Sequence, residues 1–327
     1  MRRSNQDIST RSRASSRMRA VASIFAVCAL AVGALSYAQS DPKLETAKPE
    51  QPTAAPAKPA AASPTQHPAA NARKTLKVCA DPDNLPQSDQ KGAGYENEIA
   101  RALGRDLGKP VEYTFFPQRM GFVRNTLKGR DEATGEFKCD LIVGVPIGFD
   151  PAATTQAYMR STYALVVPAS AKLGKLTDPN ELLKLPKERL QHLRFGVFSK
   201  SPATDWLLRN GLMDQAKFYA TQSGDVAEHP ASIVERDLAG GAVDVAIVWG
   251  PVAGYLASRH TGPNKWTAVP FKPDPDIRFD FEIGMGLRFG EKEWKSTLDR
   301  WIAEHHSEID TILSRYQVPL LATSTAH

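Results

Sequence analysis

Three observations predict an α/β chain folded into two lobes with a cleft between them. Short apolar segments alternate with amphipathic helical stretches, the alternation pauses after Val167 and restarts at Arg194, and one more strand pattern, Glu282–Arg288, follows the second run. Repeated β-α-β units give parallel sheets covered by helices on both sides. Two runs give two lobes, with a crevice at the carboxyl ends of their strands. The late strand returns the chain to the first lobe. Lobe one then comprises 74–167 plus 280–321, lobe two comprises 168–279, and two strands cross between them.

The elements follow in order. Leu76–Ala80 is a strand that ends in the polar turn Asp81-Pro82-Asp83-Asn84. Tyr95, Ile99, Leu103 and Leu107 recur every four residues, with Glu96, Glu98, Arg101 and Arg105 between them, as on a half-buried helix that Gly108 ends. Val111–Phe116 is a strand stopped by Pro117, and Met120–Lys128 reads as a helix. Leu141–Val145 lacks alternation, as a strand covered on both faces does. Tyr163–Val167 is the fourth strand of this run. The second run reads Arg194–Phe198 (strand), Ala203–Asn210 and Pro230–Gly240 (helices), Asp244–Trp249 (strand), and Pro251–Arg259, a helix with Pro in its first turn. After Glu282–Arg288, one helix face carries Trp294, Leu298, Trp301 and Ile302, and a second carries Ile309, Ile312, Leu313 and Tyr316.

Residues 1–38 carry six Arg and one acid, followed by a 15-residue apolar run, 21–35, and Ser36-Tyr37-Ala38. A membrane span needs about 20 apolar residues, so this stretch reads as a cleaved signal peptide for export. Residues 39–73 form a Pro/Ala-rich spacer: 40–72 hold seven Pro, ten Ala and no aromatic residue. Such a composition cannot bury enough apolar surface to offset chain entropy and is expected to be disordered. Outside the leader, 35 basic side chains balance 35 acidic ones. The net charge of +5 therefore belongs to the leader, and nucleic acid is not an expected partner. No membrane span is expected after signal cleavage. Cys79 and Cys139 remain in the folded part. In an exported protein a disulfide and two neighbouring buried thiols are both open readings.

No catalytic motif stands out. There is no Gly-x-Ser-x-Gly, P-loop or His-Glu-x-x-His, and Gly92-Ala93-Gly94 lacks the third glycine of a dinucleotide fingerprint. Adjacent His305 and His306 would point about 100° apart on a helix, so Glu304–Glu308 reads as a solvated helix end and no metal site is expected. Cys79 and Cys139 have no CxxC partner that would suggest zinc. The Asp81/Asp83 pair reads as a turn bonding its own backbone. Unusual residues gather instead where strands end: Asp81–Pro86, Gly144–Asp150 and Trp249-Gly250-Pro251. Strand ends of an open α/β sheet are where ligands bind. Trp249, Asp81, Asn84, Arg119, Pro146 and Tyr255 are therefore the expected residues of a ligand or partner cleft, with no catalytic residue among them. Trp294 and Trp301 read as core.

The order of these segments resembles the periplasmic solute-binding proteins of the amino-acid-receptor type (family 3). The residues that carry the likeness are Asp81–Pro86, GYENEIA at 94–100, CDLIVG at 139–144, and GGAVDVAIVWGPVAGY at 240–255. A closer resemblance is to the MxaJ/XoxJ-like branch associated with quinoprotein dehydrogenases. Its phrases recur as KVCADPDNLP (77–86), YTFFPQR (113–119), GFVRNTL (121–127), GVPIGFD (144–150), RSTY (160–163) and VWGPVAGY (248–255). The resemblance spans nearly all of 74–321. It implies a type II periplasmic-binding-protein fold, a periplasmic location, and a binding protein rather than an enzyme.

The resemblance also exposes what is missing. Amino-acid receptors grip the ligand carboxylate with an Arg after the third strand of lobe one, but 146–155 contain neither Arg nor Lys. They hold the ligand ammonium with an Asp at the end of the lobe-two strand, where this chain has Trp249. A zwitterion would be desolvated without compensation. The function implied is an accessory, maturation or activation partner of a pyrroloquinoline-quinone (PQQ)-dependent alcohol (methanol) dehydrogenase. No cofactor is bound covalently, and the link to PQQ is indirect. The alternative is a receptor that delivers an unidentified small solute, not a standard amino acid, to an ABC permease.

Overall fold

The computed structural model describes residues 73–221 and 228–322. The leader and all but the last residue of the spacer lie outside the described residues, and among the described residues no helix is long and apolar enough to cross a membrane.

The first sheet begins with β1 (Leu76–Ala80), whose turn carries the small ribbon β2 (Asp83–Asn84) and β3 (Ser88–Asp89). Helix α1 (Tyr95–Asp106) leads to β4 (Val111–Phe115), the single turn α2 (Phe122–Asn125) and β5 (Leu141–Pro146). β4 and β5 pair with β1 in parallel on either side. The helix expected over Met120–Lys128 is cut to that one turn. The Thr126 hydroxyl donates to the Phe122 carbonyl at 2.7 Å, and Thr126 itself leaves helical geometry, with φ −116° and ψ −88°.

β6 (Ala153–Pro168) is 16 residues long and joins the halves of the molecule. Beyond it lie α3 (Lys187–Gln191), β7 (Phe195–Phe198), α4 (Pro202–Arg209), β8 (Ala216–Tyr219), α5 (Pro230–Ala239), β9 (Val245–Trp249) and α6 (Gly250–Arg259). The chain returns through β10 (Trp266–Pro270) and β11 (Asp280–Leu287), then closes with α7 (Lys292–Glu304), α8 (His306–Arg315) and β12 (Leu320–Leu321). The hydrogen-bonded order is β4-β1-β5-β11-β6-β9-β7-β8, with β10 and β12 also on β6.

The sheets are mixed rather than purely parallel, because β11 runs antiparallel to both β5 and β6, and β6 antiparallel to β9. Tyr163–Val167 is not a separate strand of lobe one. It is the far end of β6, and Tyr163–Val166 pair with Trp249–Ala246 of the second sheet. Its apolar run is buried on both faces, with Leu165 and Val167 in one second-lobe core and Ala164 and Val166 in the other. The pairing changes hands at Tyr163: its N–H donates to Phe279, and its carbonyl accepts from Phe271. Phe271 and Phe279 are the two ends of the connection between β10 and β11, and both are held by Tyr163. Two strands thus cross between the lobes side by side, the geometry of a hinge.

The first core gathers Ile99 and Leu103 of α1, Leu141 and Val143 of β5, and Trp294, Leu298, Trp301, Ile309 and Leu313 of the closing helices. The C-terminal helices therefore rest on the first lobe. Gly254 lets α6 reach the C-terminal segment, since a Cβ there would lie 2.0 Å from the Gln317 carbonyl oxygen. A disulfide joins Cys79 to Cys139, both buried.

Candidate functional site

A cleft of ≈ 280 Å³ opens where β5 and β9 end, lined by residues of both lobes. Trp249 closes β9 directly opposite Tyr163 of β6. The four residues before it are almost fully buried, whereas Trp249 is half-buried, because the chain turns at Gly250 into a helix with Pro251 in its first turn. Trp249 meets Tyr163 and Phe281 of β11 edge to face, with ring centroids 5.7 and 6.0 Å apart, and Tyr163 and Phe281 are tilted against each other at 6.4 Å. Pro146, Met159 and Ile283 add apolar walls.

The polar groups are few. Glu96, second residue of α1, points into the cleft while only 7% exposed. Gly144 of β5 makes room for it: a Cβ there would lie 2.3 Å from Glu96 Oε1. Burial first, and then the nearby Asp81 carboxylate, push the Glu96 carboxyl up to about 8. Gln87 and Gln118 also line the cleft, and among the described residues no Lys, Arg or His does. Gln87 Oε1 and the hydroxyl of Tyr158, beside Gly144, are buried without a hydrogen-bond partner.

Of the expected site residues, Pro146 and Trp249 meet in this cleft. Asp81, Asn84 and Arg119 line an adjoining one of ≈ 90 Å³, facing Phe198 and His229 of the second lobe. Gln118 belongs to both. Asp81 holds its own turn: its carboxylate accepts from the Asp83 and Gln118 backbone N–H groups. Asn84 donates to Gln118 Oε1 at 3.2 Å. Tyr255 is not brought to either cleft. It lies five residues into α6, rotated about 140° from Gly250, and its ring sits under the Arg259 guanidinium at 5.4 Å.

Glu96, Tyr163 and Phe281 were absent from the expected site. Glu96 reads as one of four solvent-facing charges on α1, yet it is buried; the pairing of Gly-Tyr-Glu with Gly144 is the sequence signal that could have found it. At the other end of the chain, His305 lies 3.0 Å from Asp106. Glu308 and Asp106 both engage Arg105, so both acids of this group of metal-type side chains have a cationic partner.

No family model matches the chain. Protein MoxJ of Paracoccus denitrificans is 25% identical over 276 residues, covering 81% of this chain and 95% of that protein. The crystal structure of periplasmic binding protein XoxJ from Methylobacterium extorquens AM1 is 32% identical, with a TM-score of 0.59, covering 76% of this chain and all of that one. That of MxaJ from Methlophaga aminisulfidivorans MPT, at 22% identity, gives a TM-score of 0.61 over the same 76% of this chain and 100% of its own.

Proposed function

The chain belongs to the MxaJ/XoxJ-like periplasmic solute-binding proteins, and from that membership we propose that it acts in the periplasm as an accessory partner of a PQQ-dependent alcohol dehydrogenase. The observation that supports this most is the composition of the cleft. It offers aromatic and aliphatic walls and lacks the cationic side chain that an amino-acid carboxylate needs. Such a surface suits an apolar or aromatic element of a protein client better than a free zwitterion. Its polar side chains are one carboxyl, two amides and the hydroxyls of Tyr95 and Tyr163, and without a Lys or His among the described lining residues this set supports binding better than proton transfer. Gln118, shared by both clefts, would let one partner engage the aromatic pocket and the polar turn together.

The crossing strands also suit a receptor that closes on a small solute and hands it to an ABC permease, and the hinge at Tyr163 is the specific feature favouring that alternative. Co-purification tests the two. Tagged protein expressed in its native host should bring down a quinoprotein dehydrogenase, and its deletion should lower PQQ-dependent alcohol oxidation in periplasmic extracts. Recovery of a permease complex, with alcohol oxidation unchanged, would favour the solute receptor.

A further inference from the structure

The aromatic cleft holds a buried carboxyl that the protein leaves without a cationic partner among the described residues. Glu96 is 7% exposed, and among the described residues no cation or hydrogen-bond donor reaches its carboxyl. The charged and titratable groups facing it are Asp81 from the β1 turn, Tyr95 on its own helix, Tyr113 of β4 and Tyr158 of β6. None of them is cationic. Gly144 preserves the space for the carboxyl. On the other walls, Trp249 and Tyr163 present aromatic surface, and the indole is the strongest cation–π partner among side chains.

A buried carboxyl facing aromatic walls, with basic side chains absent from the lining, is the chemistry that recognises an organic cation. We infer that this cleft is a site for an alkylammonium group, its charge set against Glu96 and its carbons against Trp249 and Tyr163. The buried Gln87 Oε1, which lacks a partner, is an acceptor for an N–H of a primary ammonium. The volume of ≈ 280 Å³ equals about nine waters, enough for a small amine or for the end of a lysine side chain. The missing Arg explains why a cation without an attached carboxylate is preferred to an amino acid. The inference rests on reading the cleft as the binding face, and it does not depend on which partner supplies the ammonium.

The test is calorimetry on the mature protein with choline, with its uncharged isostere 3,3-dimethylbutan-1-ol, and with Nα-acetyl-lysine amide. The expected result is binding of the cations, with the neutral isostere at least about tenfold weaker. Choline carries no titrating amine, so its affinity should rise from pH 6 to pH 9 as Glu96 ionises. Glu96→Gln should remove that rise and weaken choline at least about tenfold at pH 9, while Trp249→Ala weakens it at every pH. Equal binding of the isostere at pH 9, or unchanged choline binding at pH 9 by a folded Glu96→Gln variant, would overturn the inference. A parallel arm adds choline to the complex with the dehydrogenase. Displacement assigns the ammonium to a lysine of the client. Choline binding that leaves the complex intact assigns it to a free amine and counts against the cleft as the docking face, while the ammonium site stands.

Discussion

Burial and the neighbouring Asp81 hold the Glu96 carboxyl at about 8 against its usual 4.5. The folded protein therefore keeps a proton there that the unfolded chain releases. Stability from this site is fully present below about pH 4.5 and declines as pH rises through about 8. The loss is on the order of a few kcal/mol. Glu96→Gln should flatten that decline and leave the protein more stable than wild type at pH 8.5, as read by urea unfolding at pH 5 and 8.5. Equal pH slopes in the two proteins would show that Glu96 is ionised when folded. Side-chain type and helical period alone place Glu96 among solvent-facing charges, because period 3.6 says nothing about which polar position a facing glycine will admit. Trp249 was legible, since an aromatic between a buried strand and Gly-Pro has little else to do than sit at the strand's edge.

At the scale of elements, most strands and helices lie where their apolar spacing puts them, and the exceptions have local causes. The first part of β6 carries Thr154, Thr155 and Gln156, which conceal a strand that β11 covers from across the chain. Only its apolar end was readable, and that end alone looks like a strand of the lobe before it. The bond between Cys79 and Cys139 ties β1 to the entry of β5, across a sequence separation of 60. Closing a loop of that size removes unfolded-state entropy worth about 4 kcal/mol. Cys79→Ser combined with Cys139→Ser should lower unfolding free energy by roughly that amount, and wild type in reductant should behave similarly. A change below about 1 kcal/mol, small against the 2–5 kcal/mol typical of native disulfides, would show that the pair contributes little in solution. Sequence left this pair open because it carries no distance information.

For the whole molecule, the two-lobed architecture followed from the interrupted β-α alternation, whereas the position of the crossing did not. The chain leaves the first lobe within β6 rather than after it. The hinge and cleft are those of a binding protein, but among the described residues the cleft lining has no Arg or Lys to take an amino-acid carboxylate. The mature protein should therefore fail to bind any free standard amino acid at micromolar concentrations in a calorimetric panel. Losing a paired charge costs several kcal/mol, or a thousandfold and more in affinity. Micromolar binding of any one amino acid would mean that another side chain serves the carboxylate.

We propose that the aromatic cleft is the face through which the protein engages a quinoprotein dehydrogenase. Trp249 is half-buried there, whereas Trp206 is fully enclosed in the second-lobe core. The most direct measurement is the dissociation constant for the quinoprotein dehydrogenase of wild type and Trp249→Ala, taken beside thermal unfolding of both, with Trp206→Ala as the core reference. The account predicts at least about a tenfold weaker complex for Trp249→Ala, in keeping with an aromatic hot spot. Its unfolding should stay close to wild type, while Trp206→Ala loses about 3–5 kcal/mol. A Trp249→Ala protein that binds and activates the dehydrogenase as wild type does, or that unfolds as readily as Trp206→Ala, would contradict the account.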